Sequence, residues 1–361
     1  MPSNDRRSTQ LTASITFRMD SLSQAVLGAS VMAAVLPARQ RRKGLAAGAL
    51  LGTVPDLDTF IVPLFSQTPV DIFTWHRGPS HALWLLLLLG WLLWWLLRRR
   101  VPAVQQAPNA WLLGSVLALL THPLLDAFTV YGTQLWWPSS SHPVMWSSLF
   151  IIDPLYTLPL LLGVVLAWIG GARRWAGRAL LAGLVISTAY IGWSQLSRHW
   201  TDRIVATGLA EQGLADAPRL LVNTPLNTML WRIIVMTPQG YAIGHRSIFD
   251  GDAPLQLQHH ASEMPLVRQL AGDNPEIQRL LWFTSGFMAA DITDGRLVLR
   301  DLRMGTEGSY FFSFAVARQQ PIMHGQQAPW QSITPAQAVA GPRQMRQQVE
   351  QTWQRLWHPL P

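Results

Sequence analysis

Apolar residues are grouped in six long runs within the first 200 residues, and short polar segments separate the runs. They cover residues 22 to 37, 44 to 65, 81 to 97, 110 to 130, 154 to 171 and 178 to 197. The third run holds Leu85 to Leu89 and then Trp91, Trp94 and Trp95, and it approaches the ~20 apolar residues that a helix needs to cross a bilayer. The pattern predicts about six transmembrane helices.

From residue 201 the pattern changes to short alternating segments and amphipathic helices. Two hairpins are predicted, one from Leu230 to Met236 with Tyr241 to Ile248 and one from Arg296 to Arg303 with Tyr310 to Arg318. Helices are expected near residues 262 to 282 and 335 to 357. The second half is therefore predicted to be a small soluble α+β domain.

Composition supports a division near residue 200. Up to Trp200 the chain holds seven acidic residues, all Asp, and thirteen of its eighteen Trp, whereas every Glu follows that point. Charge is costly in hydrocarbon and Trp favours the membrane interface. We therefore predict a transmembrane helical domain that ends at residue 200 and the soluble domain over 201 to 361.

The net charge of +8 comes from clusters of Arg that lie between the apolar runs. The clusters are Arg39 to Lys43, Arg98 to Arg100, and Arg173 to Arg178. This spacing is the positive-inside pattern of cytoplasmic loops rather than a nucleic-acid-binding surface. It predicts a multi-pass membrane protein whose second half lies on the side opposite the basic clusters, which in a bacterial inner membrane is the periplasm. Arg6, Arg7 and Arg18, which precede the first run, conflict with this topology.

Polar residues within the apolar runs occur in four short strings. These are Pro55-Asp56-Leu57-Asp58, His76-Arg77-Gly78-Pro79-Ser80-His81, Thr121-His122-Pro123-Leu124-Leu125-Asp126 and Asp153-Pro154. The predicted topology brings all four toward one face of the membrane. Ionisable groups are costly there, so their convergence predicts a functional site.

A divalent metal ion would explain why these acids and histidines occur in apolar surroundings. Asp56 and Asp58 have no basic neighbour in sequence, and a buried carboxylate requires a partner, a cation or a proton. His122 and Asp126 are spaced i, i+4, so both side chains lie on one helix face. The chain has no Cys, so metal ligands must come from His, carboxylate and water.

Several of these residues have alternative interpretations. Arg77 would suit a substrate phosphate or carboxylate, or could pair with one of the Asp residues. Asp153 before a Pro is equally consistent with a helix cap. His142, in a Ser-rich loop, is interpreted as a loop residue. His245, His259 and His260 have no ligand-like spacing with carboxylates and are assigned exposed or structural roles.

At these strings the sequence resembles the YdjM-like family of bacterial inner-membrane proteins, described as membrane-bound metal-dependent hydrolases. The matching segments are MDSLSQAVLG from Met19, PDLD from Pro55, HRGPSH from His76, THPLLDAFTVYGT from Thr121 and IIDPLYTLPLL from Ile151. The resemblance implies a metal site formed by Asp56, Asp58, His76, His81, His122 and Asp126. Many relatives carry His where this chain has Gln24, which is a poor Zn²⁺ ligand. Because the match begins at Met19, the resemblance also implies that Met19 is the true start, with residues 1 to 18 as a disordered extension before a transmembrane helical domain over 19 to 200. The conflict of Arg6, Arg7 and Arg18 with the topology then disappears.

The resulting hypothesis is a hydrolase that binds one or two divalent ions, with Zn²⁺ expected and Mn²⁺ as the alternative if carboxylates dominate. Metal-activated water would attack an ester or phosphoester, with Asp56 or Asp58 as general base and Arg77 holding an anionic, lipid-derived or other small substrate. Two alternatives stay open: a transporter that uses intramembrane Asp and His, and a non-catalytic membrane anchor for the second half.

Overall fold

The structure is a computed structural model that describes residues 21–320, 329–339 and 352–357. The predicted extension over residues 1 to 18 and Met19 lie outside the described residues. Within those residues the chain forms two compact units. The N-terminal unit holds the chain up to Ile61, His76–Thr129 and Thr133–Ser194, and the C-terminal unit holds Val62–Trp75, Val130–Gly132 and the chain from Gln195 onward.

Helices account for most of the first 211 residues, and strands follow them. The helices are α1 (Ser21–Val35), α2 (Arg41–Thr53), α3 (Asp58–Phe65), α4 (Pro69–Trp75), α5 (Leu83–Leu97), α6 (Pro102–Gln106), α7 (Pro108–Ala127), α8 (Pro154–Gly170), α9 (Arg174–Glu211), α10 (Met264–Ala271), α11 (Pro275–Phe283) and α12 (352–357). The strands are β1 (Arg219–Asn223), β2 (Leu230–Thr237), β3 (Gly240–Ser247), β4 (Leu257–Ala261), β5 (Met288–Thr293), β6 (Arg296–Asp301), β7 (Gly305–Thr306), β8 (Ser309–Tyr310), β9 (Ser313–Gln319) and β10 (Trp330–Ala338).

Two described helices, α7 and α9, are long and apolar enough to cross a membrane by length and composition. Two further candidates are pairs of helices that bend at a short break, by 41° between α2 and α3 and by 53° before α5. The apolar helices α1 and α8 are shorter. The described part of the chain therefore holds two to four candidate spans, and the predicted number of six is not confirmed.

Helices α1 and α2 approach each other closely through glycines. A Cβ atom built on Gly48 would overlap the carbonyl oxygen of Gly28, and a Cβ on Gly52 would overlap the carbonyl oxygen of Gln24. Small residues at four-residue spacing allow helix backbones to approach in membranes. This contact fixes the carboxyl-terminal end of α2 against the amino-terminal end of α1.

Two residues of the first predicted basic cluster bind backbone carbonyls at the end of α8. Arg41 donates to the carbonyl oxygens of Gly171 and Arg173, and Arg42 donates to those of Trp168 and Ile169. Cations favour the carboxyl end of a helix, where carbonyl groups lack helical partners. Part of this cluster therefore stabilises the junction between α8 and α9.

The C-terminal unit contains two four-stranded antiparallel sheets. The first has the order β1-β2-β3-β4 and the second has the order β10-β9-β6-β5. Residues Val205 and Leu209 of α9 pack on the first sheet beside Trp231 and Ile233. The predicted β2–β3 hairpin is confirmed. In the second predicted hairpin β6 pairs with β9, and the small β7–β8 ladder lies between them.

The core of the second sheet includes residues from early segments of the chain. Phe73 of α4 and Tyr131 lie in one cluster with Phe283 and Phe314, and the Phe73 ring centroid is 4.9 Å from that of Phe283. The Tyr131 hydroxyl donates to the carbonyl oxygen of Phe73 at 2.7 Å. The sequence pattern predicts one boundary near residue 200. In the structure, Val62–Trp75 and Val130–Gly132 also belong to the C-terminal unit, so the chain passes between the two units more than once.

Two helix predictions in the second half require correction. Residues 335–338 lie in β10, not in a helix, because this segment pairs with β9 across a register shift after Ser332. Residues 340–351 lie outside the described part, and 352–357 are helical. The helix expected over 262 to 282 is two helices, because the Asn274 side chain caps a new start at Pro275.

Candidate metal centre

The first two carboxylates lie where the bent pair of α2 and α3 breaks. Pro55 begins a short 3-10 turn over Pro55–Leu57, and α3 starts at Asp58. Proline cannot continue the hydrogen-bond ladder of α2, so the chain changes direction here. Asp56 and Asp58 are both buried at 5% exposure.

The second string forms a tight turn between α4 and α5. Arg77 has a φ angle of 59°, and a 3-10 turn covers Pro79–His81. His81 is fully buried, whereas His76 is partly exposed. The turn directs His81 into the N-terminal unit, next to the break after α2.

The third string is the last part of α7. His122 and Asp126 are one helical turn apart, and each is 1% exposed. Their side chains share a face, as the i, i+4 spacing requires. Asp126 and His122 therefore meet Asp56 and His81 inside the N-terminal unit.

Four side-chain atoms of these residues are separated by the distances expected of ligands around one ion. The Nε2 atoms of His81 and His122 are 3.2 Å apart. Asp126 Oδ2 lies 3.1 Å from the first and 3.4 Å from the second. Asp56 Oδ1 lies 3.6 Å and 3.3 Å from them. A tetrahedral ion with bonds of ~2.0 to 2.1 Å separates its ligand atoms by about 3.3 Å.

Hydrogen bonds to the other ring nitrogens determine the histidine tautomers. His122 Nδ1 lies 2.5 Å from the carbonyl oxygen of Gly52, which can only accept, so this nitrogen carries the proton. Ser80 donates its hydroxyl proton to Asp58 at 2.6 Å, so His81 Nδ1 donates to Ser80 at 2.9 Å. In the neutral rings both Nε2 atoms therefore present lone pairs. Metal-binding histidines are commonly held in this way.

The donor atoms of these four residues fit a metal ion. Two imidazole lone pairs and two carboxylate oxygens face one another, and buried groups of this kind repel unless a cation lies among them. Asp126 Oδ2 is buried and accepts no hydrogen bond within the described residues. Asp56, His81, His122 and Asp126 could hold a metal ion.

Asp58 and His76, also expected as ligands, form a neighbouring pair. His76 Nδ1 lies 2.8 Å from Asp58 Oδ1, which is a hydrogen-bond distance and is short for two ligands of one ion. Asp58 Oδ2 accepts from the Arg77 backbone N–H at 3.0 Å and from Ser80. Together with Asp56, these two residues form a second group that could hold an ion. In the structure, however, Asp58 is engaged in hydrogen bonds that orient His76 and the turn from Arg77 to Ser80.

Arg77 is buried and lies against an Asp residue, which is one of its two expected arrangements. Its guanidinium is 3.2 Å from Asp126 Oδ1 and donates to the Thr129 hydroxyl at 2.9 Å. Gln24 also reaches this carboxylate, with Nε2 2.7 Å from Asp126 Oδ1. Apart from the family pattern, no feature of the sequence predicts this contact between Gln24 and Asp126.

The remaining candidates lie outside the ion-binding groups of the described residues. Asp153 caps α8, since Oδ1 accepts from the backbone N–H groups of Leu155 and Tyr156. His142 is exposed in a loop. His245, His259 and His260 lie on β3 and β4.

The sequence profile of the YdjM inner membrane protein family matches residues 19–201, about half of the chain. The chain belongs to this family. The match confirms the family resemblance and identifies the protein as one of a bacterial inner-membrane family. All of the candidate ligands lie within the part that matches the YdjM profile. Neither a curated protein nor a solved structure matches the chain.

Proposed function

We propose that this protein is a membrane-bound, metal-dependent hydrolase whose ion is held by Asp56, His81, His122 and Asp126. The observation that carries this proposal is the arrangement of the two Nε2 lone pairs and two carboxylate oxygens. Five of the six separations among these atoms are 3.1 to 3.6 Å, which matches the edges of one coordination tetrahedron. Hydrogen bonds that fix both histidine tautomers support it further.

Zn²⁺ is the ion that this donor set fits best. Two neutral imidazoles and two carboxylates at tetrahedral spacing are typical Zn²⁺ ligands, whereas Mn²⁺ prefers six ligands that are mainly oxygen. Mn²⁺ would require oxygen ligands beyond these four. Catalysis requires room for water or substrate on the ion, and we expect the partly exposed side toward Asp58 and His76 to provide it.

When bound, a divalent ion lowers the pKa of a coordinated water toward about 7 and polarises the scissile group. Asp58 is the carboxylate outside the four-residue set. It orients His76 directly and His81 through Ser80. The general-base role predicted for Asp56 or Asp58 would fall to Asp58 in this arrangement. Arg77 would stabilise Asp126 rather than bind the substrate.

An ester or phosphoester of an amphiphilic molecule is the substrate class that the surroundings favour. Three apolar residues shortly after Asp56 are exposed. Their exposed fractions are 48% for Leu57, 64% for Phe60 and 50% for Ile61. Exposed apolar side chains within a candidate span face lipid in a membrane. A substrate with an acyl chain could therefore approach the site from the bilayer.

Metal analysis of the purified protein tests the proposal. The wild type is expected to retain about one Zn²⁺ per chain after dialysis, and a His81→Ala, His122→Ala double variant is expected to retain none. His199→Ala, which removes an exposed histidine on α9, is the matched control. Equal metal content in the double variant and the wild type would contradict the proposal.

Activity is tested with p-nitrophenyl esters of increasing acyl length and with p-nitrophenyl phosphate. We expect Zn²⁺-dependent hydrolysis of at least one probe by the wild type and none by the double variant. Metal binding without hydrolysis of any probe, together with ion flux in proteoliposomes, would favour the transporter alternative. The 41° break after α2 supports that alternative, because transporters bind ions at broken helices.

A further inference from the structure

Gln24 of α1 contacts both ligands that α7 contributes to the candidate metal centre. Its Nε2 atom donates to Asp126 Oδ1 at 2.7 Å and lies 3.3 Å from the carbonyl oxygen of His122. The side chain is 1% exposed. A buried amide in this position links α1 to the two ligands on α7.

The orientation of the Gln24 amide follows from these partners. Asp126 Oδ1 and the His122 carbonyl oxygen are both acceptors, so the amide nitrogen must face them. A flipped amide would place its oxygen against a carboxylate oxygen, which is repulsive. Gln24 therefore acts on the site as a hydrogen-bond donor.

Arg77 approaches the same oxygen of Asp126 from another direction. Its guanidinium nitrogen is 3.2 Å from Asp126 Oδ1, and the Thr129 hydroxyl, which donates to the Asp126 carbonyl oxygen at 2.7 Å, accepts from Arg77. The two oxygens of Asp126 thus have different surroundings. Oδ1 faces two donors, and Oδ2 faces the ring nitrogens of His81 and His122.

We propose that Gln24 is a positioning residue that holds Asp126 as a one-oxygen ligand, so that the ion keeps four protein ligand atoms and room for water instead of a larger, oxygen-rich coordination sphere. The inference rests on the proposed function. A carboxylate that binds through both oxygens raises the coordination number, as Mn²⁺ and Ca²⁺ prefer. A strong donor on Oδ1 opposes the rotation that would bring this oxygen to the ion.

Removal of the Gln24 donor should change the choice of metal as well as the affinity. Gln24→Met keeps the length and volume of the side chain and removes the amide. We expect Zn²⁺ affinity to fall about 10- to 100-fold, the range for loss of an outer hydrogen bond to a ligand. Mn²⁺ affinity should fall less, so the ratio of Zn²⁺ to Mn²⁺ affinity should decrease about 10-fold.

Gln40→Met is the matched control. Gln40 is also buried in the N-terminal unit, where it donates to the carbonyl oxygen of Ala103 at 3.0 Å and accepts from the Trp111 indole N–H at 2.6 Å. It has no described contact with the candidate ligands. We expect this variant to lose stability without a change in the metal affinity ratio.

The experiment measures Zn²⁺ and Mn²⁺ dissociation constants of the full chain in detergent, by competition with a chelator. X-ray absorption of the Zn²⁺-loaded protein gives the total number of nitrogen and oxygen ligands, which should be higher in Gln24→Met. If Gln24→Met does not fold, Gln24→Asn replaces it. This variant keeps a buried amide, but its shorter side chain withdraws the donor from Asp126. We expect the same decrease in the affinity ratio and the same increase in ligand number.

The outcomes distinguish this inference from the proposed function. A wild type that binds neither ion contradicts the proposed function and the inference together. The inference alone is contradicted if the wild type binds Zn²⁺ but the Gln24 variants do not differ from Gln40→Met. The two properties to compare are the ratio of Zn²⁺ to Mn²⁺ affinity and the number of ligands on the ion.

Discussion

The Nδ1 atom of His122 lies 2.5 Å from the carbonyl oxygen of Gly52. Gly52 belongs to the glycines through which α2 packs on α1, and a Cβ atom there would overlap the carbonyl oxygen of Gln24. The backbone approach of two helices therefore orients a candidate ligand of a third. The geometry of the centre depends on residues that would not contact the ion.

We expect Gly48→Ala to weaken the centre without touching a ligand. The added methyl would overlap the backbone of Gly28, and overpacking of this kind costs about 1 to 3 kcal/mol. Thermal unfolding in detergent should shift downward, and Zn²⁺ affinity should decrease. Gly192→Ala is the control, because no atom lies within 4 Å of its added methyl. Equal stability of the two variants would contradict the predicted close packing.

Metal removal should destabilise the N-terminal unit, because the ion neutralises the buried lone pairs. An ion present at about 1,000 times its dissociation constant stabilises the folded state by about 4 kcal/mol. Differential scanning fluorimetry with and without chelator should show this shift for the wild type and for His199→Ala. The shift should be absent in His122→Ala. A wild-type unfolding temperature that does not respond to chelator argues against a structural contribution from the metal.

Asp126→Asn and Asp58→Asn should separate binding of the ion from orientation of the site. Asp126 contributes an oxygen to the tetrahedral set, so Asp126→Asn is expected to lose the metal. Asp58 has its oxygens occupied by His76, Ser80 and a backbone N–H, so Asp58→Asn should retain the metal. Its hydrolysis rate should fall about 10- to 100-fold. Loss of metal in both variants would instead identify Asp58 as a ligand.

Stability of the C-terminal unit should depend on pH through His245. Burial and the nearby Arg232 lower the pKa of His245 from 6.5 to about 4. The unfolded chain therefore takes up a proton first, so this contribution to stability is present above pH 6.5 and is lost as the pH falls toward 4. The protection factors for hydrogen exchange along β2 and β3, which are corrected for the intrinsic exchange rate at each pH, should decrease over this range.

The control for that prediction is His245→Gln. In this variant the stability of the C-terminal unit should change less between pH 6.5 and pH 4. Glu307 should still contribute at lower pH. Burial alone would raise its pKa, but the Arg232 guanidinium outweighs burial and lowers it. An unchanged pH profile in His245→Gln would assign the dependence to other groups.

The sequence predicted which strings converge, because charged residues in apolar runs must find partners. The predicted candidates included Asp56, His81, His122 and Asp126, although the sequence contains no information on distances. It did not predict that the candidates divide into this group and a second one of Asp56, Asp58 and His76, because residue types and spacing do not give the distances between side-chain atoms. The Gly52 carbonyl was also missed, because backbone atoms leave no signature in residue type.

In the second half, local patterns predicted the β2–β3 hairpin, whose turn is short. They failed for β10, because its pairing with β9 depends on contacts that are not local. At residues 335–338 the predicted helix reflected intrinsic preference, which the pairing of β10 with β9 overrides. The predicted span count exceeds the candidates in the described residues because α1 and α8 are apolar but short, and because two of the candidates are pairs of helices with a bend between them.

Phe73 and Tyr131 leave the ribosome long before the sheet that surrounds them. The nascent chain must keep these aromatic rings available until Phe283 and Phe314 have been synthesised, although amino-terminal segments generally fold first. Completion of the C-terminal unit is thus a late event in biosynthesis that draws on early segments. A fragment starting at residue 201 would lack both rings, and we expect it to be retained by chaperones or degraded rather than to fold independently.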